Sequence, residues 1–473
     1  MTNDIFYRPT DGFVGDVIPF TKNGEAYLFF LFDERKEPKT GMPWKVIKTK
    51  DYAALNDLGI ALPSGGLTAK DYNCYTGSVV TDEQGTDHLF YTGNNPHTTD
   101  TSGRSLQLIM HATSTDNMLS WTRHQELTFG ASSNYEKYDW RDPFVFRDEE
   151  NGVWRMIFAA RKNSGPERRR GVTAQYISKD LNSWKEVEPF WAPNRYVAME
   201  CPEVFKWGEW WYFVYSEFTD AFTTKYRMSK SLKGPWIAPE HDSIDGRAFY
   251  AAKSTFLNNR RYFTGWIATK KNESDDGEWQ WAGNIATLEA TQNADGTLNF
   301  KFPNELVTTF KNTVATSIEN TTLNVPDSYD CSLTGNILPN RATYIKAELE
   351  FSMQTHEVGF LLRASNDGDS AYMLRLEPKR ARVVFDRWPR KKTGTEQWQI
   401  SGDVPYYVEL ERPCELLAGK HTVEILIEGT IMVAVIDKSV SLSARIYDKE
   451  SGRFGFFVSD GQAKLTSLEI KDR

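Results

Sequence analysis

The chain has 473 residues, 56 Lys and Arg against 64 Asp and Glu for a net charge of −8, 25% charged and 40% hydrophobic residues, and an aromatic share of 14%. Ordinary charge density without a long biased tract excludes a globally disordered chain, and mild acidity without a basic stripe argues against nucleic acid as a partner. The length exceeds what one hydrophobic core organises, so two domains are expected.

At the N-terminus, Met1-Thr2-Asn3-Asp4-Ile5-Phe6-Tyr7 has neither the basic nor the apolar region of a signal peptide. No apolar run reaches the ~18 residues of a spanning helix. No membrane association and a cytoplasmic location are therefore expected. Cys74, Cys201, Cys331 and Cys414 are far apart, with no C-x-x-C spacing, which fits a reducing compartment and disfavours a zinc site. No cofactor or metal is expected, and the oligomeric state stays open.

Along the chain the periodicity is that of strands. Runs rich in aromatic and β-branched residues recur at Ala26 to Phe32, His88 to Thr92, Leu106 to Ala112, Trp154 to Ala160, Trp210 to Tyr215 and Arg261 to Ala268, each bounded by Gly, Asn, Asp or Pro. Convincing amphipathic helices of about ten or more residues are hard to find, so the class is all-β. Ser114-Thr115-Asp116 with Trp121, Ser178-Lys179-Asp180 with Trp184, and Ser229-Lys230-Ser231 with Trp236 repeat one pattern, and Thr49-Lys50-Asp51 is a fourth without the Trp. The spacing is that of one four-stranded blade with its loop, so the repeat predicts a β-propeller. Chance recurrence of common turn chemistry is the competing explanation.

The pattern changes near residue 320, with a boundary between about Lys301 and Asn324. Alternating runs follow at Ile345 to Phe351, Val358 to Arg363, Tyr372 to Leu376, Arg382 to Phe385, Tyr406 to Leu410, His421 to Ile427, Thr430 to Ile436 and Arg453 to Val458. Joined by turns such as Asn366-Asp367-Gly368 and Glu428-Gly429, they predict a C-terminal β-sandwich of roughly 150 residues. The expected domains are 1–310 and 320–473.

Three carboxylates stand in apolar surroundings: Asp16 in Phe13-Val14-Gly15-Asp16-Val17-Ile18-Pro19, Asp142 in Trp140-Arg141-Asp142-Pro143-Phe144, and Glu200 in Met199-Glu200-Cys201-Pro202. Isolated charges there are costly unless paired or functional. Residues at the inner ends of different blades can meet in a central funnel, and a carboxylate pair of unequal acidity is what glycoside hydrolysis needs. Each residue alone also has a plain structural reading: Asp16 as a turn residue, Asp142 as the ion-pair partner of Arg141, Glu200 as a strand-edge charge.

Taken in order, these motifs resemble family 32 glycoside hydrolases, the invertase, inulinase and levanase group. Phe13 to Pro19 corresponds to the family's W-M-N-D-P-N-G block, Gly24 to Phe30 to its next strand, Asp51 to Leu62 to its D-L-x-x-W run, and Tyr75-Thr76-Gly77-Ser78 to F-S-G-S. Trp140-Arg141-Asp142-Pro143 matches the R-D-P motif and Glu200-Cys201-Pro202 the E-C motif; Phe249-Tyr250-Ala251, Gly265-Trp266-Ile267 and Val423 to Phe457 also resemble family blocks. The resemblance implies a five-bladed β-propeller followed by a C-terminal β-sandwich, and a retaining hydrolase of β-fructofuranosides or a related furanoside in short oligosaccharides. It implies Asp16 as nucleophile, Glu200 as general acid/base and Asp142 as the carboxylate that holds sugar hydroxyls. Arg141, Ser78, Tyr75, Tyr250, Trp266 and Trp44 are taken as substrate-binding. Trp44, Trp266 and Trp281 are candidate stacking platforms, each equally compatible with core packing.

The sequence also departs from the family. Gly15 stands where the family has Asn, Phe13 where it has Trp, and Leu31 where it has Gln, so the three acids remain inside a changed sugar-reading shell. Two alternatives follow: a non-catalytic glycan-binding propeller, and a glycosyl transferase using the same covalent intermediate. Arg168-Arg169-Arg170 is read as an exposed hairpin tip, with a phosphosugar site as the alternative. Arg387-Trp388-Pro389-Arg390-Lys391-Lys392 is read as a loop.

Overall fold

A computed structural model describes residues 4–390 and 408–473. Met1, Thr2 and Asn3 of the N-terminal reading, Lys391 and Lys392 of the basic stretch read as a loop, and Tyr406 and Tyr407 of one expected strand lie outside the described residues. Arg387 and Trp388 of that basic stretch end a strand instead, paired with Tyr372 and Ala371. Among the described residues no helix is long and apolar enough to cross a membrane.

The N-terminal part consists of consecutive antiparallel sheets. They comprise β1 (Phe13–Lys22), β2 (Glu25–Asp33), β3 (Trp44–Thr49) and β4 (Asn56–Leu62); then β5 (Asn73–Thr81), β6 (Asp87–Thr99), β7 (Ser105–Ser114) and β8 (Thr122–Arg123). Next come β9 (Tyr135–Asp148), β10 (Val153–Lys162), β11 (Gly171–Ser178) and β12 (Lys185–Trp191), and the group β13 (Glu200–Trp207), β14 (Trp210–Glu217) and β15 (Thr223–Ser229). The last group is β16 (Phe249–Leu257), β17 (Arg260–Lys270), β18 (Trp279–Gln292) and β19 (Leu298–Lys301). The leading strands β1, β5, β9, β13 and β16 touch one another in a ring that closes from β16 back to β1. First and last sheets are joined by the pair Val14↔Gly283, and the Ile285 N–H donates to Tyr7 O at 2.8 Å. This is a propeller, with the leading strands innermost.

The repeated turns have a common physical role. Thr49, Ser114, Ser178 and Ser229 each end the third strand of their sheet. Each hydroxyl then holds the chain as it turns outward: Ser114 Oγ donates to Asp116 and accepts from Met118 N, Ser178 Oγ donates to Asp180, and Thr49 and Ser229 accept from Tyr52 N and Ser231 N. Trp121 and Trp184 directly precede the fourth strands β8 and β12. In the sheet of β13 the fourth strand shrinks to isolated bridges on β15, Met228↔Ile237, next to Trp236, and Lys225↔Ser243.

The C-terminal part contains β20 (Asn312–Val314), β21 (Thr322–Ile337), β22 (Thr343–Phe351), β23 (Glu357–Ala364), β24 (Ala371–Glu377), β25 (Arg382–Trp388), β26 (Leu410–Pro413), β27 (Gly419–Glu428), β28 (Ile431–Ile436), β29 (Val440–Arg445) and β30 (Arg453–Asp472). The length of β30 builds the sandwich. Its first half pairs with β23, from Arg453 to Ser459, and its second half with β22, from Ala463 to Asp472, so one strand serves both layers. Between the halves Asp460 takes φ +49°. The strands β20, β21 and β29 lie outside the expected runs, and β30 runs far beyond Val458; β20 and β21 pair with β30, and β29 with β28.

One apolar core runs through both parts, joining Phe249, Phe263 and Leu288 of the propeller to Leu426, Val433 and Leu442 of the sandwich. Buried polar groups cross the same boundary. The Arg412 guanidinium donates to Ile244 O and Ser441 O, and Ser443 N and Oγ donate to Asp245. Arg168 and Arg169 are exposed in a short 3-10 turn, whereas Arg170 pairs with Glu136 at 2.8 Å.

Candidate active site

Each innermost strand carries a register shift, near its start on β1, β5, β13 and β16 and midway along β9. The shifts fall between Val14 and Val17 on β1, Tyr75 and Gly77 on β5, Arg141 and Phe144 on β9, Glu200 and Glu203 on β13, and Tyr250 and Lys253 on β16. A bulge inserts a residue into one strand and re-aims its side chains, and here the re-aimed positions include Asp16, Thr76, Asp142 and Glu200. Asp142, Cys201 and Ala251 hold the left-handed backbone conformation at φ +62°, +49° and +53°. A non-glycine residue costs of order 1–2 kcal/mol there, and such strain gathers at functional sites.

The result is one cavity of about 270 Å³ that all three carboxylates line. Thr76 Oγ1 donates to Asp16 Oδ2 at 2.6 Å and Trp266 Nε1 to Asp16 Oδ1 at 2.9 Å, so both oxygens of Asp16 are fixed by neutral donors. Tyr250 OH donates to Glu200 Oε2 at 2.8 Å, and Arg141 Nη2 to Glu200 Oε1 at 3.0 Å. Arg141 also donates to Asp139 at 2.8 Å and lies 4.0 Å from Asp142. Burial works against its charge, but Glu200, Asp142 and Asp139 together hold its pKa above the usual range. Cys201 N donates to Asp142 Oδ2 at 2.9 Å, and Asp142 N donates to Thr92 Oγ1. Burial, then the negative charges of Asp16 and Glu200, push Asp142 up to about 6 against the pull of Arg141.

Of the residues read from the sequence, Asp16, Asp142, Glu200, Arg141 and Tyr75 line the cavity. Tyr250 and Trp266 stand behind it, buried, each holding a carboxylate. Ser78 and Trp44 are placed otherwise. Ser78 is buried and accepts from Val145 N, tying β5 to β9, and Trp44 is fully buried with its indole donating to Cys74 O and Tyr75 O. Both belong to blade packing: Ser78 because an inner strand offers its alternate residues to its neighbours, and Trp44 because it lies on the third strand β3, in the apolar core with Phe29 and Tyr91. Three lining residues escaped the sequence reading: Thr76, Gln107 and Met42. Thr76 lay inside a quoted motif, whereas Gln107, which accepts from Trp140 N and Arg141 Nη1, had no local signal. Trp281 is 39% exposed and lines the cavity.

A carboxylate held by neutral donors, a second held by a phenol and a guanidinium, and a third deeply buried make a set able to attack, protonate and stabilise within one pocket. Residues 7–298 match the model described as glycosyl hydrolases family 32 N-terminal domain, and residues 305–472 the model described as glycosyl hydrolases family 32 C terminal. A levanbiose-producing levanase of Bacillus subtilis (strain 168) is 22% identical over 492 residues, covering 96% of this chain and 87% of that protein. Among solved structures, fructan 1-exohydrolase IIa from Cichorium intybus superposes with a TM-score of 0.76 at 17% identity, covering 99% of this chain and 96% of that one. Exo-inulinase from Aspergillus awamori gives 0.73 at 18% identity, with 98% and 96% covered.

Proposed function

Because the chain belongs to glycosyl hydrolase family 32, we propose that this glycosidase cleaves β-fructofuranosides of short oligosaccharides by double displacement with retention. Family membership speaks for hydrolysis over the glycan-binding and transferase alternatives. The observation that carries the residue assignment is the convergence of Asp16, Asp142 and Glu200, from three inner strands, on one cavity.

In this reading Asp16 attacks the anomeric carbon while Glu200 delivers a proton to the leaving oxygen, and the C–O bond breaks as the carboxylate ester forms. Glu200 then takes a proton from water, which attacks the same carbon and releases Asp16. The donors Thr76 and Trp266 orient the nucleophile before the sugar arrives, so little reorganisation remains for the reacting state. Asp142 accepts hydrogen bonds from ring hydroxyls. Arg141 keeps these carboxylates from repelling one another.

The test is a panel of sucrose, inulin- and levan-type oligosaccharides and an aryl β-fructofuranoside, with the product anomer followed by NMR. Glu200→Gln should lose about 10²–10⁴-fold on the oligosaccharides, the range of general-acid catalysis, and less in the first step on the aryl substrate, whose leaving group needs no proton. Asp16→Asn should be inactive on all of them. An inverted product, or unchanged rates in both variants, would sink the mechanism.

A further inference from the structure

The cavity lining is of two kinds. Beside the carboxylates stand Leu31, Met42 and Trp281, which offer apolar surface. Trp281 reaches its place only because residue 15 is glycine: a Cβ on Gly15 would lie 2.3 Å from Trp281 Cη2 and 2.4 Å from Cζ2. Gly15 is not among the glycines with a left-handed φ, so its value here is space.

The indole is held before any ligand arrives. It packs edge-on against Trp266, with ring centroids 6.1 Å apart and planes at 66°. Arg35 donates to Trp281 O, Ala282 O and Gln280 Oε1. Arg35 is itself tied to Asp33 and lies over the Phe13 ring at 3.8 Å. An aromatic ring that is immobilised on its backbone side yet substantially exposed at a carboxylate pocket offers a stacking face whose ordering cost is already met. Leu31, which lines the same cavity, is 1% exposed and its side chain has no hydrogen-bonding group.

We propose that the Gly15–Trp281 pair, with Leu31 and Met42, is the specificity-determining surface of this site: it takes the C–H face of the furanose by stacking and reads no hydroxyl there. The site accordingly accepts furanosides that are deoxygenated at the ring position facing this surface. The inference rests on the furanosidase reading. Its energetic basis is asymmetric: a hydrogen-bonding site rejects an analogue lacking the hydroxyl by about 10⁴-fold, whereas an apolar surface discriminates by ~10²-fold or less.

The experiment uses aryl β-fructofuranosides deoxygenated at one position each. In the unaltered enzyme at least one of them should keep kcat/KM within about threefold of the parent, and Leu31→Gln should widen that ratio past ~10-fold. Trp281→Ala and Gly15→Ala should each lower kcat/KM about tenfold, and the double variant no further than either, since residues that act through one contact are not additive. Losses beyond tenfold at every deoxygenated position, or additive losses in the double variant, would overturn the proposal. A binding arm separates it from the parent reading: calorimetric titration of Glu200→Gln protein with short fructo-oligosaccharides, with and without Trp281→Ala. Binding that weakens about tenfold on loss of the indole, with no furanoside hydrolysed by the unaltered enzyme, keeps the surface and rejects the furanosidase. Binding indifferent to Trp281 overturns the surface alone, and no binding by any variant overturns both.

Discussion

Asp142 is held in the left-handed backbone region, is 3% exposed, and has its pKa pushed up to about 6, chiefly by burial. A folded chain that keeps a proton which the unfolded chain has released above about pH 4 loses stability as pH rises. For Asp142 the contribution is fullest below that value and falls away up to pH 6. Asp142→Asn is therefore expected to be more stable than the unaltered protein at pH 7.5, by about 3 kcal/mol, with the gap closing near pH 4. The same change should cut kcat/KM by ~10²–10³-fold, the usual cost of losing one electrostatic stabiliser. Thermal melts across pH, set beside kinetics, check both. At this scale the three acids were legible, since a carboxylate inside an apolar run stands out along the chain. Thr76 and Gln107 were not: a hydroxyl and an amide are ordinary in strands, and their roles depend on Asp16 and Arg141 being within reach across other strands.

Among the elements, the turn at the end of each third strand and the bulge within each first strand do different work. Ser114 and Ser178 hold turns on their own sheets, so Ser114→Ala and Ser178→Ala are each expected to lower stability by about 1 kcal/mol without altering kcat or KM. Gly77 sits at the bulge of β5, where a Cβ would meet Phe90 O at 1.9 Å. Gly77→Ala should cost about 1–3 kcal/mol through overpacking and also lower kcat, because the strand that places Thr76 on Asp16 must move. Denaturation curves and kinetics on the three variants distinguish the two devices. The turns could be read from the sequence because a hydroxyl, a polar residue and a Trp lie within a few positions of each other. The bulges could not, since a register shift is a relation between two strands, and Cys201 and Ala251 are not residue types that announce a left-handed backbone.

For the whole molecule, the sandwich bears on the site through Arg445 of β29. Its guanidinium donates to Ala268 O at 2.7 Å, Ile267 O at 2.8 Å and Asn284 Oδ1 at 2.7 Å, just beyond the Trp266 that holds Asp16. Burial lowers its pKa to about 10, which leaves it charged at neutral pH. Arg445→Met would strand buried acceptors, at about 1–3 kcal/mol for each one left unsatisfied. It is expected to lower the melting temperature and to reduce kcat more than it raises KM; an unchanged kcat in a destabilised protein would confine Arg445 to scaffolding. Strand content, the propeller repeat, the change to a second β pattern and the acidic candidates were all set by the sequence, because each depends on neighbours a few residues apart. Tertiary structure alone decided that Trp44 is packing while Trp281 faces the cavity, that Ser78 ties two strands, that β30 serves two layers, and that a sandwich arginine braces the strand behind the nucleophile. Those outcomes depend on contacts between residues far apart in the chain, whose distances no local pattern records.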